Sequence, residues 1–121
     1  MSQPAHHNQI NYIEFGAADI PRAKKFYETV FGWRFQDYGP DYACFYHATA
    51  GLGGGFRRVE SGKSSGEAAP LIVLYSSDLK ATEASIVAAG GTIVVPTFEF
   101  PGGRRFHFID GVGNVLAVWS E

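Results

Sequence analysis

A chain of 121 residues with 45% hydrophobic and 18% charged residues has the length and balance of one globular domain, able to bury about two-thirds of the surface its unfolded form exposes. Ten Lys and Arg against twelve Asp and Glu give a net charge of -2, which leaves no electrostatic footprint for nucleic acid or an anionic membrane and favours a small-molecule partner by elimination. The longest apolar runs, such as Leu71 to Tyr75, are too short to span a bilayer; with no secretory leader pattern and a single cysteine, Cys44, a soluble cytoplasmic chain is expected.

In chain order, Ile10 to Phe15 alternates apolar and polar residues and reads as a strand, closed by the turn Gly16-Ala17-Ala18. A helix follows: Asp19 is a good N-cap, Pro21 suits a first turn, and Ala23, Phe26, Tyr27 and Val30 recur on one stripe until Gly32 stops it. Trp33 to Tyr38, Tyr42 to Ala48 and Leu52 to Val59 read as three strands, separated by Gly39-Pro40-Asp41 and Thr49-Ala50-Gly51. The polar, small-residue stretch Glu60 to Ala69 reads as an exposed linker. The pattern then restarts with a strand at Leu71 to Tyr75, a cap at Asp78, a helix carrying Leu79, Ile86 and Ala89, and Gly90-Gly91 as its close. Three further strands are expected at Thr92 to Thr97, Arg104 to Ile109 and Val115 to Ser120.

One offset carries Asp19 onto Asp78 and Phe31-Gly32 onto Gly90-Gly91, so the chain is a repeat of two βαβββ modules, about 8–59 and about 70–120, within a single domain. The fold class is α+β, with the modules forming a curved mixed sheet around a cleft whose walls are the natural place for a ligand. Aromatic residues make up 15% of the chain, including ten Phe, which suits either a packed core or an apolar ligand cavity.

The run from Ile13 to Trp33, with its Asp cap, Arg22-Ala23, Phe26-Tyr27 and Phe31-Gly32-Trp33, resembles the opening strand, turn and helix of the vicinal-oxygen-chelate superfamily of glyoxalases, bleomycin-resistance proteins and extradiol dioxygenases. Asp110-Gly111-Val112-Gly113-Asn114 resembles the turn before that family's final strand. The resemblance implies a homodimer and, in members acting through a divalent metal, His, Gln or Glu ligands on the first strand of each module and Glu or His on the last. Counting back seven residues from each Asp cap finds Tyr12 and Leu71, the family's final-strand Glu falls on Ala117, and the matching strand of module one reads Leu52-Gly53-Gly54-Gly55-Phe56. No cofactor is expected on this reading; a divalent metal would require the ligand count to be out of step.

Tyr12 and Glu14 lie two apart on one strand and share a face. On a cleft wall Glu14 would be a partly desolvated carboxylate, the best candidate for proton transfer or for anchoring a polar ligand group; at a strand edge or beside an Arg it would be structural. His107 alternates with Phe106 and Phe108, which could place it on the cleft face, although a lone His is more often a surface or core residue, as is His47. His6 and His7 belong to a loose arm. Gly62-Lys63-Ser64 lacks the context of a phosphate loop, Gly53-Gly54-Gly55 marks either a close approach by a ligand or another backbone or a strand bulge, and Cys44 reads as a buried small hydrophobe.

The expected function is binding or sequestration of a small molecule in a metal-free cleft, with Tyr12, Glu14, Tyr75, His107 and Trp119 as ligand-binding residues. The alternative is a metal-dependent lyase, isomerase or dioxygenase of the same superfamily, and a third possibility is a degenerate module with a filled cleft.

Overall fold

The computed structural model describes residues 4–61 and 69–121. Most of the expected linker, including Gly62-Lys63-Ser64, lies outside the described residues. The first module runs β1 (Tyr12–Ala17), α1 (Ile20–Phe31), β2 (Phe35–Asp37), β3 (Tyr42–Phe45), α2 (His47–Ala50) and β4 (Gly53–Arg58). The second runs β5 (Ile72–Tyr75), α3 (Leu79–Ala88), β6 (Thr92–Phe100), β7 (Gly103–Ile109) and β8 (Val115–Ser120). Each module makes one four-stranded sheet, in the orders β1-β4-β3-β2 and β5-β8-β7-β6, with the first pair parallel and the rest antiparallel.

The repeat extends to single hydrogen bonds. Asp19 accepts from the Arg22 amide at 3.1 Å and Asp78 from the Ala81 amide at 3.1 Å, so both long helices start on the same side-chain cap. Gly32, at φ 72°, closes α1 in the left-handed conformation and gives its amide to the last turn.

Three boundaries differ from expectation. Gly16 and Ala17 belong to β1, because Arg57 and Arg58 of β4 pair with them. The strand expected to run to Ala48 stops at Phe45 and becomes the one-turn α2, held by the Thr49 and Ala50 amides on the Tyr46 carbonyl and by the Thr49 hydroxyl, which accepts from the Arg34 amide at 3.0 Å. β6 continues past Thr97 to Phe100, passing Pro96 by slipping register twice, between Ile93 and Val95 and between Val95 and Phe98.

The core is aromatic and continuous across both modules. Tyr27, on the buried stripe of α1, stacks on Trp33 at 4.7 Å and packs against Phe56 at 5.3 Å, while Phe26 stacks on Phe108 of the other module at 6.1 Å. Phe15, Phe45, Phe106 and Leu116 complete it. Among the described residues no helix is long and apolar enough to cross a membrane.

The turn between β7 and β8 fastens the modules together. Asp110 accepts from the Val112 and Asn114 amides at 3.0 and 2.8 Å through one oxygen and from the Tyr27 hydroxyl at 2.7 Å through the other. Asn114, fully buried, donates its side-chain amide to the Gly16 carbonyl at 2.9 Å. Both side chains therefore reach out of module two into module one.

Tyr27→Phe strips a buried carboxylate oxygen of its donor and is expected to cost about 1–3 kcal/mol, read as a lower urea midpoint at unchanged slope. Burial raises the Asp110 carboxyl above its ordinary value of 3.8, against the opposing hydrogen bonds from Tyr27, Asn114 and Val112. The folded state thus holds this proton to higher pH than the unfolded state. Its stabilising effect is full below 3.8 and is lost as pH rises through the folded value. Asp110→Asn, which cannot ionise, should lose less stability than the parent across that rise in thermal melts taken at stepped pH.

Candidate functional site

β1 turns Ile13 and Phe15 toward the helices and Tyr12 and Glu14 outward, because successive strand residues alternate. Cross-strand register extends the outward row from Glu14 through Gly55 and Cys44 to Gln36. On this face the Tyr42 hydroxyl donates to Glu14 Oε2 at 2.9 Å and meets the Tyr12 hydroxyl in a short hydrogen bond. Tyr42 has one proton, given to Glu14, so Tyr12 is the donor to Tyr42 and the relay runs from Tyr12 through Tyr42 to Glu14. Burial, followed by the bonds to Tyr12 and Glu14, pushes the Tyr42 phenol well above the usual tyrosine range. Burial also raises Tyr12, with the hydrogen bond to Tyr42 opposing it.

Glu14 departs from the expected desolvated carboxylate. Its side chain is 42% exposed and its Oε1 lies 3.3 Å from Arg57 Nε, one register step away on β4. A pair so open to water contributes about 0–1 kcal/mol, so it orients the carboxylate more than it stabilises the fold. Cys44 also differs: it is half-buried on this outer face near Tyr12, not a core residue.

The β4 glycines mark no bulge; at Gly54 the close approach is that of another backbone, the neighbouring strand β1 at Ile13. β4 pairs with β1 and β3 without a register shift. A Cβ on Gly54 would strike the Ile13 carbonyl and stand 2.5 Å from the Phe45 ring; one on Gly55 would stand 2.5 Å from the Tyr42 hydroxyl. The missing side chains make room for Phe45 on the core side and for Tyr42 on the outer side.

The second sheet presents Tyr75, His107 and Trp119 on its own outer face. Phe106 and Phe108 are fully buried on the core side, which puts the alternating His107 outward as expected. Register aligns Val73, Ala117 and His107 in one row and Tyr75, Trp119 and Arg105 in the next. Trp119 meets Tyr75 edge-on at 5.0 Å and Phe100 at 6.3 Å. Arg105 lies over the rings of Phe98 and Phe100, 5.2 and 5.5 Å from their centroids. Arg105 Nε and His107 Nε2 are shielded and, among the described residues, have no hydrogen-bond partner. Burial, then the Arg105 charge, lowers the His107 imidazole below its ordinary range. Tyr75 donates to Glu121 Oε1 at 2.8 Å, and that bond raises its phenol.

The five candidate residues therefore divide into two groups, one per sheet, and among the described residues no hydrogen bond, ion pair or ring contact joins them. A cavity of about 350 Å³ opens between Trp119, Phe100 and Arg105, with Val73 and Gly102 at its margin. A larger cleft of about 640 Å³ lies between the core side of β1 and the strand β5; of the five candidates only Tyr75 borders it. Its polar side chains are already engaged, Thr49 with the Arg34 amide and Tyr75 with Glu121. Arg57, Tyr42, Arg105, Phe98 and Phe100 were not singled out from sequence, although Arg105 shares strand parity with His107.

Residues 9–118 match the family described as the Glyoxalase/Bleomycin resistance protein/Dioxygenase superfamily. The chain belongs to this superfamily. The protein CFP32 of Mycobacterium bovis, provisionally named a glyoxylase, is 24% identical over 116 residues covering 91% of this chain and 44% of that protein, so the chain spans less than half the length of this curated relative. A superfamily enzyme from Burkholderia phytofirmans superposes with a TM-score of 0.76 at 17% identity, covering 91% of this chain and 96% of that one. The fosfomycin resistance protein FosX of Listeria monocytogenes, solved as a mutant with Mn(II) and a dihydroxypropylphosphonic acid, gives 0.77 at 17% identity, covering 94% and 90%. These similarities establish the glyoxalase-like fold.

A resident divalent metal does not fit the donors here. At the four superfamily ligand positions, Tyr12 has its hydroxyl committed to Tyr42, Leu71 precedes β5, Ala117 is a buried methyl beside His107, and the matching strand of module one offers Gly53, Gly54 and Gly55 without a donor side chain. Among the described residues no three His, Cys, Asp or Glu side chains are grouped to hold an ion.

The two glycine positions make opposite demands. Gly54→Ala should destabilise by about 3 kcal/mol or more, since backbone and a packed ring must both move. Gly55→Ala should cost less, because its backbone contact, the Ala43 carbonyl at 2.8 Å, is looser than the one at Gly54 and the half-buried Tyr42 can swing away. Thermal unfolding of the two variants checks the ordering, and equal losses would contradict it.

Proposed function

We propose that this protein binds a small molecule on the outer faces of its sheets and holds it without a metal ion. The observation that carries this is the open face of the second sheet, where Trp119, Phe100 and Arg105 line a cavity of about 350 Å³ and, among the described residues, the Arg105 guanidinium has ring contacts but no hydrogen bond or ion pair. Small-molecule sites combine apolar walls with a few unengaged polar groups, and this face does so. The Tyr12-Tyr42-Glu14 relay supplies a second set of polar anchors on the first sheet. Holding a ligand requires only these contacts; the superfamily's metal-assisted lyase, isomerase or dioxygenase chemistry requires donors at positions occupied by Tyr12, Leu71 and Ala117.

We also infer a cytoplasmic homodimer, in line with the superfamily resemblance. A second copy would cover the exposed apolar side chains Ile10, Tyr12, Leu71 and Val73, which are costly to leave in water together.

Elemental analysis after loading with excess Ni, Zn, Mn or Fe(II) and desalting is expected to find far less than one metal per chain; near-stoichiometric retention would favour the enzymatic reading. Light scattering should give twice the 13.2 kDa chain mass. For ligands found in a thermal-shift screen of small aromatic compounds, Trp119→Ala should weaken binding by about tenfold or more. Unchanged affinity in both Trp119→Ala and Glu14→Gln would refute the proposed cleft.

A further inference from the structure

We propose that the ligand of the second sheet is a small aromatic anion, a one- or two-ring compound bearing a carboxylate, held by its ring on Trp119 and by its charge on Arg105. This deepens the cleft reading above and rests on it.

Arg105 is anomalous for a half-buried arginine. Among the described residues no carboxylate forms an ion pair with it, and no hydrogen bond reaches its guanidinium. The nearby carboxylate of Glu121 takes the Tyr75 hydroxyl instead, and Arg104, not Arg105, reaches the Glu121 carbonyl at 3.5 Å. Phe98 and Phe100 hold the guanidinium at 5.2 and 5.5 Å, restricting the rotamers of a side chain that otherwise loses much freedom on binding. A cation fixed in place, partly desolvated and unpaired is preorganised for an anion, and its planar fork matches a carboxylate through two parallel hydrogen bonds. Nε is shielded, so the terminal nitrogens are the ones a ligand meets.

The surroundings define the rest of the ligand. Trp119 and Phe100 stand 6.3 Å apart at an interplanar angle of 64°, forming a corner against which a flat ring can lie on one face and meet an edge on the other. Val73 and the glycine at 102 add apolar and unobstructed margin. A volume of about 350 Å³ is at the lower end of small-molecule sites, which favours one or two fused rings over a large natural product. The net charge of -2 provides no general attraction for anions, so any preference for one must arise locally.

The test is calorimetric titration of the full chain with 2-naphthoate and with its neutral counterpart 2-naphthamide. The carboxylate should bind about tenfold or more tighter than the amide. Arg105→Gln should abolish that difference by weakening naphthoate alone, Arg105→Lys should restore part of it, and Trp119→Ala should weaken both probes. Melting curves matching the parent establish that the variants are folded. Equal binding of the two probes, or naphthoate affinity indifferent to Arg105→Gln, overturns the anionic assignment while leaving a Trp119-dependent cleft standing. If neither probe binds the parent chain, the assignment falls together with the cleft reading beneath it.

Discussion

The fold depends on a polar contact buried in an aromatic core. Asp110 collects two amides of its own turn and the Tyr27 hydroxyl of the other module, and Asn114 reaches back to the Gly16 carbonyl. A shared hydrophobic core would hold two modules together in many rotational settings, since apolar contacts are not directional. A carboxylate and an amide with fixed bond directions select one. That choice determines which way the two sheets face, and hence where every outward residue points.

The outward faces differ in chemistry although their backbones repeat. The first is built from hydroxyls and a surface ion pair, with Tyr42 accommodated by the absence of a side chain at Gly55. The second is built from rings around a cation that has no counter-ion among the described residues. The repeated scaffold fixes the positions, and the side chains on them differ, so that one face is rich in hydrogen bonds and the other in π surface.

Much of this was legible in the sequence because it obeys local rules. Asp19 and Asp78 cap helices wherever the chain carries them, and the alternation of Phe106, His107 and Phe108 assigns faces without knowledge of the fold. What was illegible depends on distant partners. Nothing near Tyr46 announces that Thr49 would cap the Arg34 amide and bend the chain into α2. Glu14 could be read as a cleft carboxylate until Arg57 was found beside it, a neighbour set by strand register rather than by spacing. The cleft between β1 and β5 is present, but of the five candidates only Tyr75 borders it, because strand alternation leaves the angle between the sheets open.

The relay from Tyr12 through Tyr42 to Glu14 has a direction, and direction discriminates. With every proton pointing inward toward the carboxylate, the Tyr12 oxygen shows the outside only lone pairs. A visiting hydroxyl or amine can give it a proton and leave the chain intact. To meet an ether or ketone, Tyr12 would have to turn its proton outward and give up its bond to Tyr42, while Tyr42 could keep its bond to Glu14. The outer face of the first sheet therefore ends in an acceptor, a polarity set by the order of its hydroxyls and not by their shape.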